Sequence, residues 1–388
     1  MAQPVFRLCD NPFMRPLLGL LVLTAAAIAQ SGPQVLISRT AESLRGVSAV
    51  SREVAWASGT HGTYLRTTDG GKIWTPAQVP GAGALDFRAV VAFSADEAFL
   101  MSAGPGEQSR IYHTADGGLQ WQLQFTNTNP KGFFDSMAFW DPKHGIVLGD
   151  PVPDESGKLK FEMLHTEDGQ TWQPIAPSQL PEAMEGEGAF AASNSCIAIL
   201  PSPHDSEIWF ATGGKVARIF HSPNGGKTWE VVDTPIVHGP DSAGIFSIAF
   251  RDHLRGVIAG GDYKHPNADG PNLAVTNDGG KTWDLSLLHP QAYFSAVAYD
   301  TKVNRNLREM RRSGMKAEFK GKKVPGDPDT PERLFIVGQD FVFDFRPPNN
   351  PRRISGKKKL GMAFNAVSPF PEGGALVVGP KGSIALIP

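Results

Sequence analysis

Apolar residues recur along this chain in short runs that end at glycine, and a stretch of alternating apolar and small or polar residues precedes each run. The runs are VAWASG (54–59), AFLMSAG (98–104), GIVLG (145–149), IWFATG (208–213), GVIAGG (256–261), RLFIVG (333–338) and GALVVG (374–379). Before them stand RGVSAV (45–50), FRAVVAF (87–93), FDSMAFW (134–140), AFAASNS (189–195), IFSIAF (245–250), YFSAVAY (293–299) and AFNAVSPF (363–370). Alternation places every second side chain on one face of a strand, and the apolar run that follows reads as a second strand ending at a glycine turn. The pair therefore predicts two adjacent strands, an inner A and a following B, in each of seven units.

A second repeat falls after five of the B runs. TTDGGKIW (67–74), TADGGLQW (114–121), SPNGGKTW (222–229) and TNDGGKTW (276–283) share one pattern, and TEDGQTW (166–172) is a copy one residue short. The side chains of Asp69, Asp116, Asp168, Asn224 and Asp278 can accept backbone N–H bonds across a tight turn, and the glycines can take the positive φ such a turn needs. Trp74, Trp121, Trp172, Trp229 and Trp283, each opening the next strand, can bury a large face against a neighbouring sheet. We call this element the staple; it joins strands C and D of its unit. The central residues lie about fifty residues apart, close to the length of a four-stranded propeller blade. All-β architecture follows, with seven blades, five of them stapled.

The last unit stops after three strands, A near 362–369, B near 374–379 and C at SIALIP. The strand-like segment QVLISRT (34–40) is predicted to pair beside residues 383–387 and close the ring, which would remove an exposed sheet edge.

Composition supports turns over helices: 42 Gly and 32 Pro in 388 residues is about one residue in five, against an ordinary share of roughly 12%. A formal charge of −2 gives no broad basic surface for nucleic acid. Two cysteines exclude a disulfide-built scaffold, and Cys196 reads as a small buried hydrophobe. Residues 14–30, MRPLLGLLVLTAAAIAQ, combine a positive flank, an apolar run and the small-residue pattern Ala27-Ile28-Ala29. They predict a cleaved export signal over residues 1–29, an uncleaved anchor being the alternative, with Met1 or Met14 as the start. The propeller then occupies residues 30–388 and the protein is expected to be secreted or periplasmic, without a membrane span after cleavage. The longest gap between B glycines contains a stretch rich in Lys and Arg, 301–333, which is either a docking surface for an acidic partner or a solvated insertion.

No nucleophile elbow, P-loop, zinc-helix motif or paired-cysteine motif occurs, and the ten histidines, His144 and His221 among them, lack metal-ligand spacing. GEGAFA (186–191) matches a dinucleotide pattern but opens an expected strand rather than a helix, so neither metal nor cofactor is expected. A glycosidase of the sialidase kind needs an arginine cluster and an activated tyrosine. Arg39, Arg45, Arg52 and Arg66 stand outside such a context, and none of the five tyrosines has a recognisable nucleophile setting. What remains is the ring's axial face, where B–C turns and D–A connections converge. The B–C turns carry His61, Asp150, Lys215, Asp262, Tyr263, Asp340 and Lys381, and the D–A connections add Asp135, Glu185, Glu187 and Tyr293. Asp150, Asp262 and Tyr263 adjoin the longer insertions and are the leading binding candidates; a small-molecule enzyme using funnel carboxylates such as Asp150 and Asp262 is the alternative.

The staple resembles the Asp-box, or BNR repeat. Across its length the chain most resembles the photosystem II stability and assembly factor family, through the seven units, the DGGKTW staples and the closing FNAVSPFPEGGALVVGPKGSIALI (364–387). That resemblance implies an exported seven-bladed propeller without catalysis, whose partner is a protein or a membrane-protein assembly intermediate; separately, the chain is expected to be a monomer. The short third staple, the unstapled units six and seven and the 301–333 stretch depart from the family pattern.

Overall fold

The computed structural model describes residues 33–201, 206–286, 292–300, 333–338, 341–345, 357–358 and 362–388. The expectations for residues 1–29, for the 301–333 stretch up to residue 332, and for Asp340 lie outside these residues.

Strands of period two, separated by glycine-rich turns, form seven antiparallel sheets among the described residues. Blade 1 contains Leu44–Ala49, Ala55–Gly59, Thr63–Thr67 and Thr75–Gln78 as strands A to D. Blade 2 contains Phe87–Ala92, Ala98–Ser102, Arg110–Thr114 and Gln122–Thr126, and blade 3 contains Phe134–Phe139, Gly145–Pro153, Leu159–Thr166 and Gln173–Pro174. Blade 4 is built from Ile197–Pro201, Ser206–Ala211, Arg218–Ser222 and Glu230–Asp233, and blade 5 from Ala243–Phe250, Gly256–Asp262, Leu273–Thr276 and Asp284–Leu285. Blade 6 has Phe294–Tyr299, Leu334–Gly338, Phe341–Phe345 and Lys357–Lys358. Blade 7 has Ala366–Pro369, Ala375–Gly379 and Ser383–Ile387, completed by Gln34–Leu36. No helix among the described residues is long and apolar enough to cross a membrane.

The closing strand pairs antiparallel with the last one, Gln34 opposite Leu386 and Leu36 opposite Ile384. Leu36 also reaches the first staple: a Cβ added at Gly71, whose φ is 81°, would stand 2.8 Å from Leu36 Cδ1. Glycine is therefore required there by both conformation and closeness.

Burial follows the period of the B strands. In blade 1, Ala55 and Ala57 face the core shared with blade 7, while Trp56 faces the core shared with blade 2. In blade 4, Ile208 and Phe210 pack towards blade 3, and Trp209 and Ala211 towards blade 5. The staple tryptophans fill the same seams, each between its own blade and the preceding one: Trp74, Trp121, Trp172, Trp229 and Trp283. Their turns share one set of bonds. In the first, Thr67 Oγ1 donates to Asp69 Oδ1 (2.9 Å) and accepts from Gly71 N (3.0 Å), and Asp69 Oδ1 accepts from Ile73 N (3.0 Å). The short third copy keeps the pattern with the spacing compressed, Gly169 N donating to Thr166 Oγ1 and Thr171 N to Asp168 Oδ1. The backbone N–H bonds from Thr171 and Gln170 hold the Asp168 carboxyl below its ordinary range.

One inner strand differs from expectation. Residues 189–195 are irregular, and strand A of blade 4 begins at Ile197. Asn194 adopts a left-handed φ of 59°, and its Oδ1 accepts from Met137 N (2.7 Å) and Ser136 Oγ (3.1 Å) of blade 3. The alternating AFAASNS is thus spent on capping a neighbour. Before it, Glu187–Gly188 pairs with Gly213–Gly214, which joins blade 5 at Gly244, so GEGAFA opens a strap across blades 3 to 5 rather than an inner strand.

Candidate functional site

Five inner strands carry a β-bulge at the same place, between Leu44 and Gly46, Phe87 and Ala89, Phe134 and Ser136, Ile245 and Ser247, and Phe294 and Ala296. A bulge leaves one residue out of the ladder and re-aims its side chain. Here those residues are Arg45, Arg88, Asp135, Phe246 and Ser295, and all five line one central cavity of about 980 Å³. Blade 7 adds Phe364 and Asn365, and the strap adds Gly186 through Ala192.

Of the residues anticipated from sequence, Asp135, Asp150, Glu187 and Tyr263 line this cavity, as does Tyr293. Asp135 belongs to a strand, not to a D–A connection. Its carboxyl is buried, and that burial, together with the nearby Asp150 carboxyl, pushes its pKa well up. Asp150 Oδ1 accepts from Ala189 N (2.9 Å) on the strap. Glu187 is consumed in structure: Oε1 takes Arg218 Nε (2.9 Å) and Thr212 Oγ1 (2.7 Å), and Oε2 takes Met184 N (2.8 Å). Tyr263 stands at the mouth, 48% exposed.

Asp262, His61, Lys215 and Lys381 are not part of the lining. Asp262 is held in its own turn by Lys264 N (2.9 Å) and His265 Nδ1 (2.7 Å). His61 and Lys381 occupy exposed turn tips with φ of 55°, and His61 Nδ1 lies 2.7 Å from Glu42 Oε2. Lys215 is exposed, 4.0 Å from Glu185, itself an exposed side chain. Cys196 is buried and free, its thiol pushed up by burial. Among the described residues no group of three or more His, Cys, Asp or Glu could hold a metal ion.

Arg45 and Arg88 are the site residues that sequence reasoning passed over. Arg88 Nε meets Asp86 Oδ2 at 2.6 Å and its Nη1 donates to Ala191 O at 2.7 Å, tying blade 2 to the strap. Arg45 has no hydrogen-bond partner at Nε, and burial, with Arg88 nearby, lowers its pKa. On the cavity lining Phe190 and Phe246 stack at 3.9 Å, and Tyr293 meets Phe246 edge-on at 4.7 Å.

Burial raises the Asp150 carboxyl to about 6. The folded protein then holds this proton more tightly than the unfolded chain. The resulting stability is full below the ordinary carboxyl pKa and is lost as pH rises through about 6. Asp150→Asn keeps an acceptor for Ala189 N and is expected to stabilise the fold by about 2 kcal/mol near pH 8, with little effect near pH 4. Thermal melts at both pH values check this; an equal effect at both would contradict it.

No protein-family model matches the chain. Over 276 residues it is 22% identical to the photosystem II assembly protein Ycf48 of Synechococcus sp. (strain JA-2-3B'a(2-13)), covering 53% of this chain and 78% of that protein. The chain resembles the photosystem II assembly factors. Among solved structures, that of YCF48 bound to D1 peptide aligns with a TM-score of 0.40 at 15% identity, covering 92% of this chain and 96% of that one. The structure of U3-55K aligns with a TM-score of 0.59 at 11% identity, covering 92% and 99%. The latter likeness speaks to the propeller fold alone.

Proposed function

We propose that this chain is an exported, non-catalytic propeller that holds a protein partner, an assembly intermediate of a membrane protein, at the mouth of its central cavity. The observation that carries the reading is the cavity itself, built from the bulged residues of five blades on a rigid ring and fronted by the half-exposed Tyr263. Aromatic side chains of this kind are common anchors in protein interfaces. The sequence resemblance to Ycf48, an assembly protein, supports the same direction, as does reading the staples as Asp-boxes, which brace a ring without supplying chemistry. Export rests on the N-terminal segment read above.

Immobilised protein exposed to envelope extracts should retain a partner that is lost about tenfold from a Lys131→Ala/Tyr263→Ala variant. Both residues are exposed at the cavity, so the fold should be spared. Equal retention by the variant, or no partner with either protein, would overturn the reading.

A second reading has one observation in its favour. Asp135 and Asp150 are two carboxyl groups on one cavity, and a raised pKa of this kind suits a general acid. Turnover of a glycan panel, abolished by Asp150→Asn, would promote it.

A further inference from the structure

We propose that the partner segment inserts a cationic group, a lysine ammonium or an arginine guanidinium, between the Asp135 and Asp150 carboxyls of the central cavity. This deepens the reading above and rests on it.

Asp135 is 1% exposed yet lines the cavity, and its Oδ2 has no hydrogen-bond partner. A buried acceptor left in that state is costly, and such atoms in native proteins call for an explanation. Asp150 contributes a second carboxyl to the same wall, with Oδ1 already bonded to Ala189 N. The strap comes so close here that a Cβ on Gly188 would stand 2.8 Å from Asp150 Oδ1.

Among the described residues no cation of the protein forms an ion pair with Asp135 or Asp150. Arg88 is spent on Asp86 and Ala191 O, and Arg218 on Glu187. Arg45 has Asp86, Arg88 and Tyr293 as its charged or titratable neighbours. Lys131 and Asp241 are exposed on the cavity lining. Burial, aided by the neighbouring Asp150 carboxyl, raises Asp135 against the opposing pull of Arg88 and of the Ala191 backbone N–H, and burial raises Asp150 against the Ala189 N–H. An entering cation would reverse that balance: each carboxylate gains a charge-assisted bond and loses its proton. Phe190 and Phe246 line the same cavity and give the aliphatic stem of the cation apolar surface to pack against.

The test uses the full chain and four doubly blocked pentapeptides of glycine, with lysine, arginine, Nε-acetyl-lysine or glutamate at the centre. Titration calorimetry near pH 6, in two buffers of different protonation enthalpy, reads affinity and proton exchange together. The lysine and arginine peptides are expected to bind at least about tenfold more tightly than the other two. They should release protons on binding and tighten as pH rises from about 5 to about 7.5. Asp135→Asn and Asp150→Asn should each weaken them about tenfold and reduce the release, with melting temperatures at or above wild type. Equal binding of acetyl-lysine, no binding of the basic peptides, or unchanged binding by both variants would overturn the proposal. Partner capture from extract separates the two levels. If the Asp variants capture normally while Lys131→Ala/Tyr263→Ala does not, the cation site falls and the partner reading stands; if no variant affects capture, both fall.

Discussion

A variant lacking residues 34–38 is expected to lose about 4 kcal/mol of stability and to self-associate at concentrations where the intact chain does not. The deletion removes the ladder from Gln34–Leu36 to residues 384–386 and takes Leu36 out of the core between blades 7 and 1. Burying a leucine contributes roughly 1.5–3 kcal/mol and each net ladder bond about 1 kcal/mol, which sets the figure. It also bares the outer edge of Ser383–Ile387, a strand whose Ile384, Ala385 and Ile387 are buried. An unpaired, apolar edge is a template for another copy. Urea unfolding with light scattering checks both parts; a loss under about 1 kcal/mol without association would show that the ring does not depend on this closure.

Trp209→Ala should cost about as much, roughly 4 kcal/mol. Trp209 is fully buried, stacks on Phe250 at 4.0 Å and on His221 at 4.7 Å, and donates from Nε1 to Gly279 O at 2.9 Å. It therefore clamps blade 4 onto the staple turn of blade 5. Trp209→Phe keeps most of the area and loses the bond, for about 1 kcal/mol. Leu119→Ala, on a staple turn and 86% exposed, should be neutral. A Trp209→Ala loss no larger than the Leu119→Ala effect would contradict the packing described between blades 4 and 5.

These two predictions differ in how far sequence foretold them. The staples and the B glycines were legible because each position demands a residue type: glycine where φ is positive in the staple turns or where neighbouring atoms leave no room for a Cβ at the end of strand B, a short acceptor where N–H groups converge, tryptophan where a seam must be filled. Ring closure was legible because the last unit lacked a strand. Trp209 lies in a B run, where its size looks like any other apolar residue and only the register directs it towards blade 5. Strand A of blade 4 was misplaced because AFAASNS alternates like a strand, while the left-handed Asn194 that breaks it is visible only with its partners in blade 3.

The cavity was harder still. Its lining is fixed by a backbone device, the bulge, and Arg45, Arg88, Asp135, Phe246 and Ser295 share no chemistry by which to recognise them. What they share is context, one bulky apolar residue before and one small residue after, as in LRGV (44–47), FRAV (87–90), FDSM (134–137), IFSI (245–248) and FSAV (294–297). That pattern could have found them. Turn tips, by contrast, were over-read: His61 and Lys381 sit at the crests of tight turns and Asp262 serves its own loop, so nearness to the axial face did not bring them to the cavity.

The central claim is that a protein partner is held at the cavity mouth. Site-specific photo-cross-linking tests it most directly, with the reactive residue placed at position 263 in one sample and at position 119 in another, each incubated with envelope extract. A discrete protein adduct from position 263, absent from position 119, is the predicted result. No adduct from position 263, or equal adducts from both, would contradict it.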